Sequence, residues 1–477
     1  MYFNSIEFIC LFLPLVLAGY FFFLKLGRVA IARSFLVLCS LIYYSWWNID
    51  HLPVLLLSIL VNFGAGSYLL KEENVAWRKI ALFSSVSFNL IVLGVFKYST
   101  NLVEYFSLDS LTAFYPNILI LPLAISYFTL QQISFLVDSY YRKINKNEFV
   151  GYALFVSFFP QLLSGPIVRH EVLQQFHSKW KFVLKRKNLL FGVIIFSIGL
   201  FKKVVIADHL GEDVHKGFDL ESSYGFLSAW VASLSFLFQV YFDFSAYGDM
   251  AIAVGLMFNI RLPINFYSPY RACSIIDYWR RWHITLTLFL RDYVYIPLGG
   301  NRKGIFVQLV NIIFIFTLSG IWHGASFKFV VWGVFNGIGV GLNVLWRKYG
   351  FTLPRIVSWC CTFLFVCFHL ALFRSPDLGS AKAIWMSMID VSSIANRLSE
   401  HSDILTTDFF QKKLFVFSLL MGVVLLLPNV YEWTGYPALQ SSRRKIVFLS
   451  VVSVFCMIIS LYKLISLPYV RFYYFQF

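Results

Sequence analysis

Twelve apolar stretches constrain this chain more than any other feature of it. They fall at about 7–25, 34–49, 52–70, 80–97, 117–137, 189–207, 223–257, 304–320, 326–346, 356–373, 414–428 and 446–466, and a helix crosses a bilayer with roughly 20 apolar residues. What remains cannot make a water-soluble surface. Of the 477 residues 59% are hydrophobic and 13% charged, with mean hydropathy +0.71, whereas soluble domains carry about 25% charged residues. A single core cannot absorb the surplus, because cores stop growing at roughly 250–300 residues. Lipid is therefore the main solvent. The expected fold is an all-α integral membrane protein, one domain over residues 1–477, with about 11–12 transmembrane helices.

Two further apolar pieces do not read as simple spans. Residues 149–168 contain Pro160, Gly165 and Pro166, and residues 284–299 carry Arg291 and Asp292 in their middle. Proline breaks a helix, and backbone groups freed inside a membrane need partners. Both pieces suit re-entrant or broken helices beside a polar cavity. The net charge of +16 reads as cytoplasmic loop charge and not as a nucleic-acid footprint. Basic clusters at Lys25–Arg33, Lys71–Lys79, Arg142–Lys146, Lys179–Lys187, Arg280–Arg281, Arg302–Lys303, Arg347–Lys348 and Arg443–Lys445 all fall on one face if both broken helices return to the side they left. That face is expected to be cytoplasmic, with both termini outside. Lys202–Lys203 and Lys412–Lys413 disagree with this pattern. The segments 98–112, 208–222 and 375–408 are expected outside, the last with a surface helix. No CxxC or metal-ligand spacing occurs among the seven cysteines, which are expected to be small core residues.

Polar residues at membrane depth are costly to place and so are informative. In Gln239-Val-Tyr-Phe-Asp243-Phe-Ser-Ala-Tyr247-Gly-Asp249, helical spacing puts Asp243 and Tyr247 on one face. A hydrogen-bond network between helices is the simpler reading of Gln239, Asp243, Tyr247 and Asp249. The cluster Asp277-Tyr-Trp279-Arg280-Arg281-Trp282-His283 reads first as an interfacial anchor; paired arginines can also receive an anionic, phosphate-bearing donor. In Ser319-Gly-Ile-Trp-His323-Gly-Ala, the residues fit a packed core histidine and a general base equally: flanking glycines admit a close approach, and His titrates near neutral pH. His51, His209, His215 and His401 are expected in loops, and His369 as packing.

These blocks carry a resemblance. Leu121–Asp138, Phe159-Pro-Gln-Leu-Leu-Ser-Gly-Pro166, Tyr241–Met250, Trp279-Arg-Arg-Trp-His283-Ile-Thr-Leu, Arg291–Arg302, Ser319-Gly-Ile-Trp-His323-Gly-Ala and the ending Phe472-Tyr-Tyr-Phe-Gln-Phe477 are similar to the membrane-bound O-acyltransferases, of the alginate O-acetyltransferase type. The resemblance spans nearly the whole chain; it departs at Ser245-Ala-Tyr-Gly248, where Ser-Gly-Tyr-Ser is typical. It implies a multi-helix fold around a central tunnel, His323 as the intramembrane catalytic histidine, and His283 as the second histidine near the cytoplasmic mouth. It also implies acetyl-CoA as acyl donor, with no bound cofactor or metal, and a plasma-membrane location. Arg280, Arg281, Trp279 and Trp282 would bind the donor. An extracytoplasmic esterase-like protein would accept the acyl group within a polysaccharide biosynthesis and export complex. The rival readings are a D-alanyl transferase of the same family acting on teichoic acid, a lipid-linked saccharide transporter, and a non-catalytic scaffold of such a complex.

Overall fold

The computed structural model describes residues 1–106, 121–144, 147–177, 184–220, 225–392 and 408–466; no strand occurs among them. Nine of the described helices are long and apolar enough to cross a membrane: Glu7–Lys25, Ile49–Lys71, Val75–Tyr98, Arg186–Asp219, Phe226–Met257, Ile305–His323, Phe327–Lys348, Arg355–Arg374 and Arg443–Ser466. Val29–Ser45 is a shorter apolar helix. Their outer faces carry large exposed side chains such as Leu15, Phe83, Phe306, Ile356 and Ile465. Such surface is stable only against lipid, so the chain is a multi-pass membrane protein.

Two compact units divide the chain. The first comprises residues 1–200, 247–264 and 464–469. Aromatic rings fill its interior: Phe8, Phe12, Tyr43 and Phe159 meet at centroid distances of 5.3–6.2 Å. Buried polar groups here find one another, as a lipid environment demands. Ser58 donates to Gln132 over 2.8 Å, Asn89 to Asn62 over 2.6 Å, and Asn62 also bonds Gln132. Buried Asp138 accepts from Lys143 at 3.2 Å and meets His170 Nδ1 at 2.8 Å. The expected break in 149–168 is present: Phe149–Ser157 ends before Pro160, and a four-residue helix, Phe159–Leu162, follows. The Gln161 amide donates to the Phe155 carbonyl over 2.7 Å, supplying a partner that the broken ladder cannot. Tyr247 stacks on Phe3 at 4.9 Å, and Asp249 is buried in the same unit.

Residues 201–246, 265–463 and 470–477 form the second unit. Its central feature is the hairpin of Ile305–His323 and Phe327–Lys348. These helices pack closely enough that a methyl group on Gly320 would lie 2.0 Å from the Phe329 carbonyl oxygen. One on Gly333 would lie 2.3 Å from the Phe316 oxygen, and one on Gly337 2.7 Å from Ile313 Cα. Gly333, Gly337 and Gly341 repeat every fourth residue, the small-residue spacing that lets membrane helices touch backbone to backbone. This contact fixes the height and rotation of His323, the last residue of its helix. The second expected break is also found: Ile284–Leu290 gives way to a π-helical turn, Arg291–Tyr295, and then to turns.

Several expectations need correction. Residues 208–220 are not a loop: Asp208–His215 is α-helical and Lys216–Leu220 π-helical, so His209 and His215 are on helices. His51 sits buried in a 3-10 turn, not an exposed loop. The helix beginning at Val75 runs on to Phe106 through the first part of the expected 98–112 loop. Cys10, Cys360 and Cys361 are exposed and not core residues, whereas Cys39, Cys367 and Cys456 are buried. A helix does form in the polar insert, at Leu378–Ile389. Lys179, Ser222, Ser393, His401 and the ending 472–477, for which the sequence also carries expectations, lie outside the described residues.

Candidate functional site

His283 is held by a turn that the sequence builds from both ends. Ser274 caps the short helix Ile275–Trp279 by accepting from the Asp277 N–H at 3.1 Å. Beyond the turn, Asn265 clamps the next helix: its carbonyl accepts from Ile284 N–H, and its side chain accepts from the Thr285 N–H and hydroxyl at 3.2 and 2.9 Å. Between them His283 adopts φ +43°, a left-handed conformation that costs an L-residue roughly 1–2 kcal/mol. His283 lies outside the long spans, and burial pushes its pKa down to about 3, so the ring is neutral. Phe244 meets it edge-on at 5.0 Å.

His323 approaches from the glycine-packed hairpin. The residue is 8% exposed, and its ring is boxed by Trp322, Trp332 and Phe373 at 4.9, 5.2 and 5.3 Å. Trp322 also meets His283 edge-on at 6.3 Å, so one indole contacts both histidines. Gly324 must be bare: a methyl there would lie 2.2 Å from the Phe329 ring.

A cavity of about 360 Å³ joins these pieces. His283, His323, Trp279, Trp282 and Arg280 all line it, together with His369, Trp332, Arg291 and Tyr295. Aliphatic and aromatic side chains, among them Ile312, Phe316 and Leu370, make up most of the remaining wall. Arg281 is not among the lining residues. Its guanidinium is held by Asp277 at 2.9 Å and by the Tyr267 carbonyl at 3.4 Å.

Gln239, Asp243, Tyr247 and Asp249 do not line the cavity either. Asp243 is instead ion-paired. Lys203 Nζ sits 2.7 Å from its carboxylate and 2.7 Å from that of Asp208, with Lys203 1% exposed. Sequence reasoning missed Lys203 as the partner of Asp243. The signal was present, since Lys202–Lys203 broke the charge pattern. The second exception resolves the same way, with Lys413 2.5 Å from Asp213. Both exceptions hold a lysine neutralised by an aspartate, and such a lysine says little about sidedness. His369, expected as packing, is a cavity residue.

A largely apolar cavity with neutral imidazole beside bulky indoles and a guanidinium at its wall suits transfer of a small group between two partners. The chain belongs to the membrane-bound O-acyltransferase family, which residues 41–373 match, and it is an acyltransferase. It is 42% identical over 424 residues to the peptidoglycan O-acetyltransferase of Helicobacter pylori, covering 82% of this chain and 80% of that one. It is 36% identical over 408 residues to a protein of Pseudomonas putida described as "Probable alginate O-acetylase AlgI", covering 81% and 80%. A more distant likeness, 27% over 248 residues, is to the teichoic acid D-alanyltransferase of Streptococcus thermophilus, covering 47% and 57%.

Proposed function

We propose that this enzyme moves acetyl from cytoplasmic acetyl-CoA across the cell membrane for O-acetylation of a cell-envelope or exported polysaccharide. The observation that carries the reading is the convergence of His323, His283 and Arg280 on one cavity in a chain of this family. His323 takes the proton of the attacking hydroxyl, a role worth roughly 10²–10⁴-fold in rate. His283 orients the thioester end of the donor, and Arg280 draws its phosphates, as a guanidinium does well. Trp279 and Trp282 pack on the pantetheine arm. Arg281 acts only by holding its turn through Asp277. The relatives' names make peptidoglycan the first acceptor to test and alginate the second.

A long polymer does not thread a cavity of about 360 Å³, so the acyl group leaves to a smaller hydroxyl. An extracytoplasmic esterase-like protein offering one serine would suit, and would pass acetyl on to the polysaccharide within an export complex. The test is radiolabelled acetyl-CoA incubated with membranes carrying the protein. His323→Ala should abolish acetyl ester on the polysaccharide while expression stays normal. Wild-type ester levels in that variant end the assignment of His323. Efficient acetylation of free polymer by the purified chain alone ends the assignment of a partner.

A further inference from the structure

The turn between the π-helical segment Arg291–Tyr295 and the helix Ile305–His323 carries charges that the fold itself leaves unused. It covers residues 296–303. Two glycines shape it, Gly299 at φ +108° and Gly300 at φ +56°, conformations open to a residue without Cβ. The Gly300 N–H donates to the Tyr295 carbonyl over 2.9 Å, and the Asn311 amide donates to the Gly300 carbonyl over 3.3 Å. The turn is thereby fastened both to Tyr295, which lines the cavity, and to the helix that ends in His323. A methyl on Gly299 would lie 2.8 Å from Lys303 Cδ, so the bare glycine makes room for the lysine stem. Arg302 and Lys303 are exposed, and neither side chain has a hydrogen bond or ion pair among the described residues. By contrast Arg281, Arg291 and Arg374 are each held by an aspartate.

These free cations stand far from the reacting centre. Asn311 and Ile305, which bracket the turn on its helix, lie twelve and eighteen residues before His323. The turn is therefore roughly 18–27 Å from His323 along the helix axis, at 1.5 Å per residue. A small acyl phosphate holds its charge beside its carbonyl and cannot bridge that span. In acetyl-CoA about 22 bonds separate the acyl carbon from the 3′-phosphate of the ribose, an extended reach of roughly 25 Å. We propose that Arg302 and Lys303 bind the 3′-phosphate of the donor nucleotide, leaving Arg280 on the cavity wall for the diphosphate. This inference rests on the acyl-transfer reading of the cavity and narrows the donor to a free nucleotide thioester. A thioester on a carrier protein is excluded by it, because a phosphopantetheine arm ends at the carrier and brings no ribose phosphate. A guanidinium and an ammonium together give a phosphate several charge-assisted hydrogen bonds.

The test measures binding to the full chain in phosphatidylcholine nanodiscs, which contain no anionic lipid. The ligands are S-ethyl-CoA, a thioether that cannot transfer, and its 3′-dephospho form. Wild type should bind S-ethyl-CoA at least about tenfold more tightly than the dephospho ligand. In the double variant Arg302→Met/Lys303→Met that margin should shrink to about threefold or less. Its affinity for the dephospho ligand should stay within about threefold of wild type, which also reports a folded protein. Lys348→Met removes an equally exposed cation that does not line the cavity, and should keep the full margin. A double variant that keeps the margin overturns the inference, and is the result expected if the two cations meet only anionic lipid. So does an equal loss for both ligands in the double variant, or the same loss of margin in Lys348→Met, since either reports the general charge of that face. Wild type that binds both ligands equally tightly overturns this inference and leaves the donor reading standing. Wild type that binds neither overturns the donor reading, and this inference with it.

Discussion

Gly333→Ala tests whether the hairpin of Ile305–His323 and Phe327–Lys348 sets the catalytic geometry. The added methyl would sit 2.3 Å from the Phe316 oxygen and 2.8 Å from Thr317 Cα, both backbone atoms that no rotamer change can move aside. Ordinary contact begins at 3.4 Å, so the helices must part locally by about 1 Å, and overpacking of this kind costs roughly 1–3 kcal/mol. Thr317 lies six residues before His323 on the same helix, so the displacement reaches the imidazole nearly undiminished. A 1 Å misplacement of a reacting group can cost about 10²-fold. The expected result is a kcat lower by roughly 10–100-fold. The melting temperature in detergent should fall by several degrees, since each kcal/mol moves it about 2–4 °C for a domain this large. Gly64→Ala is the control, because nothing lies within 4 Å of a methyl there. A Gly333→Ala enzyme with wild-type kcat and melting temperature refutes the argument that this contact positions His323.

Lys203→Met should cost about 3–5 kcal/mol, because it removes the cation shared by two carboxylates at a buried position; adding Asp243→Asn should restore part of the melting temperature, and additive losses would show that the pair is not coupled. Arg280→Ala should raise KM for acetyl-CoA about tenfold, whereas Arg281→Ala, whose partner is Asp277, should leave KM near wild type; equal effects in titrations of initial rate would contradict the cavity assignment. His283 binds a proton below pH 6.5 when unfolded but only near pH 3 when folded. Folded stability should therefore fall as pH drops below 6.5, and the slope between pH 7.5 and 5 should flatten in His283→Gln. A melting-temperature profile with equal slopes in both proteins would discount burial of that ring.

Apolar length and helix-breaking residues carried most of the fold. The breaks at Pro160 and around Arg291 were legible because they rest on local chemistry. The 208–220 segment was misjudged for the opposite reason: His209, Glu212, Asp213 and His215 look like loop residues, yet they extend a continuous apolar helix whose carboxylates serve Lys203 and Lys413. That service depends on partners 5 and 200 residues away along the chain, and no local window contains the second. His283 and His323 stand out through their motifs, and both line the cavity. The place of His369 on the cavity was not legible, because its hydrogen bond from Trp332 exists only in the folded pair of helices. Adjacency in sequence could not tell which of Arg280 and Arg281 borders the cavity; the structure puts Arg280 on its lining and Arg281 on Asp277.

The Lys203 cluster has a consequence for biosynthesis. The span from Arg186 to Asp219 leaves the ribosome before the helix that carries Asp243 exists. Its mid-span lysines, Lys202 and Lys203, would each cost roughly 2.5–3.5 kcal/mol if they entered the bilayer centre alone. Asp208 follows Lys203 within the same span, 2.7 Å away in the folded chain, so one charge partner travels with it from the start. Lys202 has its polar neighbours, Ser245 at 3.4 Å and the Tyr241 ring at 5.9 Å, on the later helix. The nascent span is thus half-neutralised on insertion and completed only when its successor arrives, which makes Phe226–Met257 the element that commits Arg186–Asp219 to its place in the membrane.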